Sequence, residues 1–491
     1  MFRLQRWFAC LLAAALTSSL SATWSIILVD TRTGEIAVGS ATCVAGVDLR
    51  NWTPVVLVGK GVATAQSYVD QDGRNRMLIW RELGKGTDPV QILALLAKRD
   101  AGHQTRQYGI VDASGRAVTF TGNQAMSWCG GVTGKIGSIV YAIQGNLLMG
   151  KAVVDDAVKA VRTTKGDLGQ KLMAGMEAAR AKGGDARCSG AKKSADVGYI
   201  ILARQGDRDG GCSATGCATG DYYLALNAAG LGRNEVDPVI QLQQWYESWR
   251  AGARGRPDHH LSLVTPSSPT LPADGRRSAT AVLVLRDIEG QGLTAGGAKV
   301  TVTHDPSSSA PLVIGPVRDR SNGSYSFTVT AGTKAGEGRL RVIVDDGKGP
   351  VLLTPRSKLP VIADPLWSSA GTVSVSSGGS IDFVAHPGKS KAGRAYLLLA
   401  SASGSRPGVR LPRNLVLPLN PDIILDATLQ AGLRGQAPFL GTLDPSGHAA
   451  VVLAIPLGAW GIPPSVELTF AFASLAPIDF VSNPVRLRFL R

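Results

Sequence analysis

Between residues 23 and 250 the apolar positions fall into short runs cut by turn residues, and the period of the runs changes along the chain. Trp24 to Val29 and Ile36 to Ser40 flank the polar stretch Asp30-Thr-Arg-Thr-Gly34, which predicts a hairpin whose first residue is Thr23. Pro54 to Val58, Gly61 to Gln66, Gln107 to Val111, Ala117 to Thr121 and Val197 to Ala203 read as further strands, and Asp112-Ala-Ser-Gly115 as a second hairpin turn. Helical spacing holds from Pro89 to Lys98, where Val90, Leu93, Ala94 and Ala97 share a face behind a Thr87 or Asp88 cap. Two more helices are predicted over Val153 to Arg162 and Leu168 to Lys182, the second stopped by Gly183-Gly184. Strands, then helices, then a strand, without regular alternation, predict an antiparallel α+β domain rather than a doubly wound one.

The pattern changes near residue 251. Residues 251–275, with Thr265-Pro-Ser-Ser-Pro-Thr-Leu-Pro272, read as a linker, and nothing beyond them has helical spacing over a useful length. Ala281 to Leu285, Lys299 to Val302, Tyr325 to Val329 and Arg339 to Val344 alternate as strands, which predicts an immunoglobulin-like β-sandwich over 276–363. Asn322-Gly323 marks a tight turn there, and Asp345-Asp-Gly347 reads as a hairpin turn before it reads as a calcium loop. Ile381 to Ala385, Tyr396 to Ala400, Val451 to Ile455, Val466 to Ala473 and Val485 to Phe489 predict a second sandwich over 364–491. No internal repeat links the two.

Composition agrees with this division. At roughly 150 residues per domain, 491 residues hold about three domains. Charged residues are only 18% while glycine reaches 59, the balance of a strand-rich and loop-rich exported protein. The formal net charge of +15 favours an anionic envelope or polysaccharide surface as a partner. Nucleic acid is disfavoured, because the basic residues are scattered with no dense block interleaved with aromatics. Five cysteines follow the N-terminal segment, at 43, 129, 188, 212 and 217. One or two disulfides are expected, with one pair drawn from the 188, 212 and 217 group and at least one thiol left over. A zinc site is disfavoured, since no matching histidine pair stands near Cys212 and Cys217.

Residues 1–22 read as a secretory signal: Arg3 and Arg6, an apolar stretch from Ala9 to Leu16, then Ser-Leu-Ser-Ala22. A membrane span would need about 20 apolar residues, more than this segment offers. Cleavage after Ala22 makes Thr23 the first residue, with its hydroxyl a nucleophile and its α-amine a base for neutral pH. Cleavage after Ser21 would leave Ala22 in front and block that chemistry. A serine-histidine-acid enzyme is disfavoured because His103, in a polar loop and expected to be solvated, is the one histidine before the linker. Cys43 and Cys129 read as structural rather than nucleophilic. No phosphate-cradling loop, dinucleotide fingerprint or calcium loop is present, and neither a cofactor nor a metal is expected.

Thr23-Trp-Ser-Ile-Ile-Leu-Val-Asp30, Thr33-Gly-Glu-Ile-Ala-Val-Gly-Ser40, Gly61-Val-Ala-Thr-Ala-Gln66, Gly109-Ile-Val-Asp112 with Phe120-Thr-Gly122, and Ala142-Ile-Gln-Gly-Asn-Leu-Leu148 form an ordered series. Gly183-Gly-Asp-Ala-Arg187, Ser194-Ala195 and Asp237-Pro-Val239 continue it. The series resembles the Ntn-hydrolase-like bacterial family known as domain-of-unknown-function family 1028, over residues 23 to about 250. The resemblance implies two antiparallel sheets between helical layers, a four-layer αββα sandwich, with Thr23 at the end of a central strand. The insertion Cys188-Ser-Gly-Ala-Lys-Lys193 departs from the family pattern.

An enzyme of this kind would hydrolyse an amide or peptide-like bond with Thr23, and would need fixed donors for the oxyanion. Asn146 is the first candidate donor and Gln66 the second. Ser40 is a candidate partner of the N-terminus, and Lys60 a candidate for lowering the α-amine pKa. Gln144, Gly145, Asp185 and Arg187 are candidate substrate contacts. The rival reading is a non-catalytic cell-surface or polymer-binding protein that keeps the fold, because a fold does not guarantee its chemistry. A third is an adhesin whose activity lies in the C-terminal modules.

Overall fold

The computed structural model describes residues 23–230, 234–456 and 465–490; the predicted export segment, 1–22, lies outside them. The chain forms two compact units, divided after Ala253.

The first unit contains β1 (Thr23–Asp30), β2 (Glu35–Thr42), β3 (Pro54–Leu57), β4 (Gly61–Ser67), α1 (Arg74–Lys85), α2 (Pro89–Arg99), β5 (Arg106–Asp112), β6 (Ala117–Thr121), β7 (Gly130–Ile136), β8 (Ile139–Asn146), α3 (Ala152–Thr163), α4 (Leu168–Ala181), β9 (Val197–Ala203), β10 (Leu224–Ala228) and α5 (Pro238–Ala253). One sheet has the order β10-β9-β2-β1-β8-β7 and the other β3-β4-β5-β6, and the pairs in both are antiparallel.

Side-chain alternation along β1 explains how the faces are used. Trp24, Ile26 and Leu28 pack with residues of α3, α4 and α5. Ile27 and Val29 face the other way and pack with Val56, Val62 and Val111 of the four-stranded sheet. That sheet turns Val55, Ala63 and Ile110 onto α1 and α2. A strand buried on both faces needs apolar residues at consecutive positions, which is why Ile26-Ile-Leu-Val29 is continuous.

The expected helices form within a residue or two of their expected bounds. Asp88 caps α2 through the Val90 N–H, and Asp167 caps α4 in a capping box with Gln170. Gly183 and Gly184 take positive φ where α4 stops, and a Cβ on Gly184 would lie 2.7 Å from the Ser194 carbonyl oxygen. The pattern missed α1, β7, β8, β10 and α5. His103 is a correction: it is buried, stacked 4.1 Å from Phe120, and burial lowers its pKa, so it is no solvated base.

Among its described residues, the second unit packs as two β-sandwich modules, each around its own core, with a smaller cluster of Leu397, Leu399, Leu417, Leu419, Ala471 and Ala473 besides. In the first, the sheet containing Ser278–Val284 and Ser324–Ala331 packs on the sheet containing Lys299–His304 and Gly336–Asp345. In the second, Gly379–Ala385 and Ala449–Ile455 pack on the sheet of Ala395–Ser401, Glu467–Ser474 and Val485–Leu490. The expected linker is more ordered than its composition implies: α5 runs on to Ala253, and Leu263–Pro266 and Leu271–Pro272 are strands of the first of these modules, because Val264 and Leu271 fill its core. The second module also holds a helix that the pattern missed, α6 (Ile423–Leu433), capped by Asp422 through the Leu425 N–H. Asp345-Asp-Gly347 is a hairpin turn in which Asp345 accepts the Gly347 N–H and Asp346 pairs with Arg256.

Candidate active site at Thr23

Strand register builds the site. Thr23 lies opposite Asn146 on β8, and continuing the β1–β2 register from Trp24↔Ala41 places Thr42 opposite it on β2. Directly opposed residues share a face, so Thr42, Thr23 and Asn146 form one row across three strands, facing the second sheet. One step inward, Ser40, Ser25 and Gln144 form a second row. The four-stranded sheet answers with Gln66, Gln107 and Thr121. All six strand residues of the two β1 rows are buried, as are Gln66 and Gln107.

Polar groups removed from water must be hydrogen-bonded to be tolerated, and a chain of bonds links Gln107 and Gln66 to Thr23 and Ser25. Gln66 Nε2 donates to the Thr23 carbonyl oxygen at 2.7 Å and to Gln107 Oε1 at 2.8 Å. Ser25 Oγ donates to Gln66 Oε1 at 2.5 Å and lies 2.9 Å from Ser40 Oγ. Gln107 Nε2 donates to the Gly145 carbonyl at 2.8 Å and to Thr121 Oγ1 at 2.9 Å. Gln144 Nε2 donates to Thr64 Oγ1, and its Oε1 points at Gly109, where a Cβ would stand 2.9 Å away.

The Asp185 to Cys188 segment crosses the end of β1. On the β8 side, the Ala186 N–H bonds the Leu147 carbonyl at 3.0 Å. On the β2 side, Arg187 reaches Thr42 Oγ1 at 3.3 Å and Cys188 is joined to Cys43 by a disulfide. The fully buried Asp185 carboxylate fixes this strap, accepting from the Cys43 N–H at 2.7 Å and from the Arg187 guanidinium. Just past the site side chains, Ser67 (φ 71) and Leu147 (φ 52) take left-handed backbone. Such backbone costs a non-glycine residue about 1–3 kcal/mol.

Thr23, Asn146, Gln66, Ser40, Gln144, Gly145, Asp185 and Arg187 therefore converge on one end of the central sheet. Three expectations change. Lys60 is exposed in the turn before β4, and six residues of strand at about 3.3 Å each put it roughly 20 Å from Gln66, too far to act on the α-amine. Ser40 Oγ donates to the Trp24 carbonyl at 2.9 Å, one residue along from the terminus it was expected to hold. Both Nε2 protons of Gln66 are engaged, so it holds Thr23 rather than an oxyanion. Ser25, Thr42 and Gln107 were missed. The signal for them was available, since polar residues at alternate positions of otherwise apolar strands mark an inward polar row.

A second disulfide joins Cys212 to Cys217, and Cys129 keeps a free thiol whose pKa burial raises. Cys43, Cys188 and Asp196 offer ligand atoms within 4.8 Å of one another, but sulfurs joined to each other are not thiolates for a metal. Among the described residues, no helix is long and apolar enough to cross a membrane.

Residues 23–205 match the model of a family described as a family of unknown function, DUF1028. Residues 258–351 match the model described as invasin, domain 3. The chain thus joins a segment that matches DUF1028 to one that matches an invasin domain, and that invasin match together with the disulfides fits an extracytoplasmic bacterial protein. No curated protein matches. Among solved structures, the chain is similar to a DUF1028 protein from Silicibacter pomeroyi, at 20% identity over 46% of this chain and 89% of that one, with a TM-score of 0.36. It is also similar to the Escherichia coli adhesin FdeC, at 12% identity over 95% and 97%, TM-score 0.21, and to the Yersinia pseudotuberculosis adhesin InvE, at 18% identity over 47% and 58%, TM-score 0.18.

Proposed function

We propose that this chain is a cell-surface or polymer-binding protein whose N-terminal domain keeps an Ntn-type αββα fold and whose β-sandwich modules carry it at the bacterial surface. The observation that carries this reading is the match of residues 258–351 to an invasin domain, followed by a second β-sandwich with its own core. The net charge of +15 favours an anionic surface as the partner. The test is retention of the full chain, and of residues 254–491 alone, on envelope preparations and on anionic polysaccharide at physiological salt. Retention of both supports the reading, and the loss of both at that salt overturns it.

A second reading is amide hydrolysis by Thr23, favoured by the Thr42, Thr23 and Asn146 row at the end of a central strand. After export cleavage behind Ala22, Thr23 Oγ would attack the amide carbonyl while the α-amine takes the proton and later passes it to the leaving amine; water then releases the acyl group. Intact mass and N-terminal sequencing of the exported protein test the indispensable group. A chain starting at Thr23 supports the reading, with Thr23→Ala as the control in every amidase assay, and one starting at Ala22 ends it.

A further inference from the structure

We propose that Gln107 is a positioning residue for Thr23, setting the orientation of the Gln66 amide and through it the Thr23 and Ser25 groups. The inference rests on the Thr23 reading for its chemical consequence, while the orientation itself stands on the hydrogen bonds alone.

The argument is one of donor and acceptor polarity. A backbone carbonyl only accepts. Gln107 faces two of them, Gly145 O at 2.8 Å and Gly130 O at 3.3 Å, so the nitrogen of its amide must point there. Its oxygen is thereby turned to Gln66, which must answer with Nε2 at 2.8 Å. The second proton of that nitrogen then meets the Thr23 carbonyl oxygen, and Gln66 Oε1 is left to accept from Ser25. Each amide has two ends and one arrangement that satisfies every partner; reversing Gln107 would set oxygen against two carbonyl oxygens. Gln107 is itself held from outside. Its neighbour Arg106 is locked to Asp100, Nε to Oδ2 at 2.8 Å, and Asn75 Nδ2 joins the same carboxylate at 2.6 Å. The chain of constraint thus runs from β7 and β8, through Gln107 on β5 and Gln66 on β4, to the first residue of β1.

The test is a double-mutant cycle on the mature full-length chain: wild type, Gln66→Met, Gln107→Met and the pair. The probe is a small β-lactone. Thr23 Oγ attacks the ring carbonyl, the ring acyl C–O bond breaks, and the proton passes through the α-amine to the released alkoxide, leaving an ester on Thr23 that peptide mapping locates. Loss of a buried hydrogen bond predicts an acylation rate about tenfold lower in each single variant. If Gln107 acts through Gln66, the pair is no slower than Gln66→Met alone. A wild-type rate in Gln107→Met, or rates that multiply in the pair, overturns the proposal. Should the wild type itself resist acylation, the Thr23 reading falls and the orientation is judged by exchange of the Gln66 side-chain amide protons in nuclear magnetic resonance. Two protected protons in the wild type and one released in Gln107→Met uphold it, and two unprotected protons in the wild type overturn it.

Discussion

The space between the two sheets of the N-terminal domain has two unlike halves. Away from Thr23 it is filled by Ile27, Val29, Val38, Val62, Val111 and Ile201; at Thr23 it is filled by Thr42, Ser40, Ser25, Gln144, Gln66 and Gln107. Both halves are buried, so burial alone does not distinguish them. The apolar half gains from every CH₂ removed from water, whatever its orientation. The polar half gains little net free energy, because its bonds replace bonds to water, but it tolerates a single arrangement. One half holds the sheets together and the other fixes how Thr23 is presented.

That contrast can be broken at either half. The largest effect is expected from Ile27→Ala, which should cost about 4 kcal/mol of stability by denaturant unfolding and leave the reaction of Thr23 with electrophiles unchanged; equal loss of both would erase the distinction. Replacing Cys43 and Cys188 by serine removes a link between residues 145 apart in sequence. It should cost about 3 kcal/mol and increase hydrogen exchange in the strap, leaving the apolar half protected. Gln66→Met strands the Thr23 carbonyl, the Ser25 hydroxyl and Gln107, and should cost about 2 kcal/mol.

A smaller effect is expected from pH. Burial raises the Asp100 pKa, but Arg106, Asn75 and the Gly102 N–H outweigh it and hold it at about 2. A depressed carboxyl contributes stability above its usual pKa, near 3.8, and loses it as pH falls from there to about 2. Asp100→Asn should flatten the acid limb of the unfolding curve in that window. Lys60→Ala, at the exposed turn far from the site, should change stability by no more than about 0.5 kcal/mol and Thr23 reactivity not at all.

What could be read in the sequence varied with the range of the interactions involved. Helices α2 and α4 were legible because cap, spacing and stop lie within one segment. Helix α1 was not, since Met77-Leu-Ile-Trp80 is apolar without a gap, Gly73 gives no side-chain cap, and the helix buries Arg76, whose guanidinium bonds the Ala214 carbonyl. Strand β7 was obscured by Gly130, Gly131 and Gly134, which give an edge strand no apolar alternation. Lys60 is a candidate from its place between two apolar strands, but the strand that follows carries it away from the end where Gln66 meets Thr23.

The sequence by itself determined the strands and helices of local pattern, the change to β-sandwich modules, the candidacy of Thr23 and the supply of cysteines, because each is carried by spacing or composition within a few tens of residues. Only the tertiary structure decided that β8 adjoins β1 on the side away from the β1–β2 hairpin, that Cys43 rather than Cys212 or Cys217 joins Cys188, and that Gln107 stands behind Gln66. Those depend on contacts between residues tens to more than a hundred positions apart, where register and amide polarity are set by partners that no local pattern names.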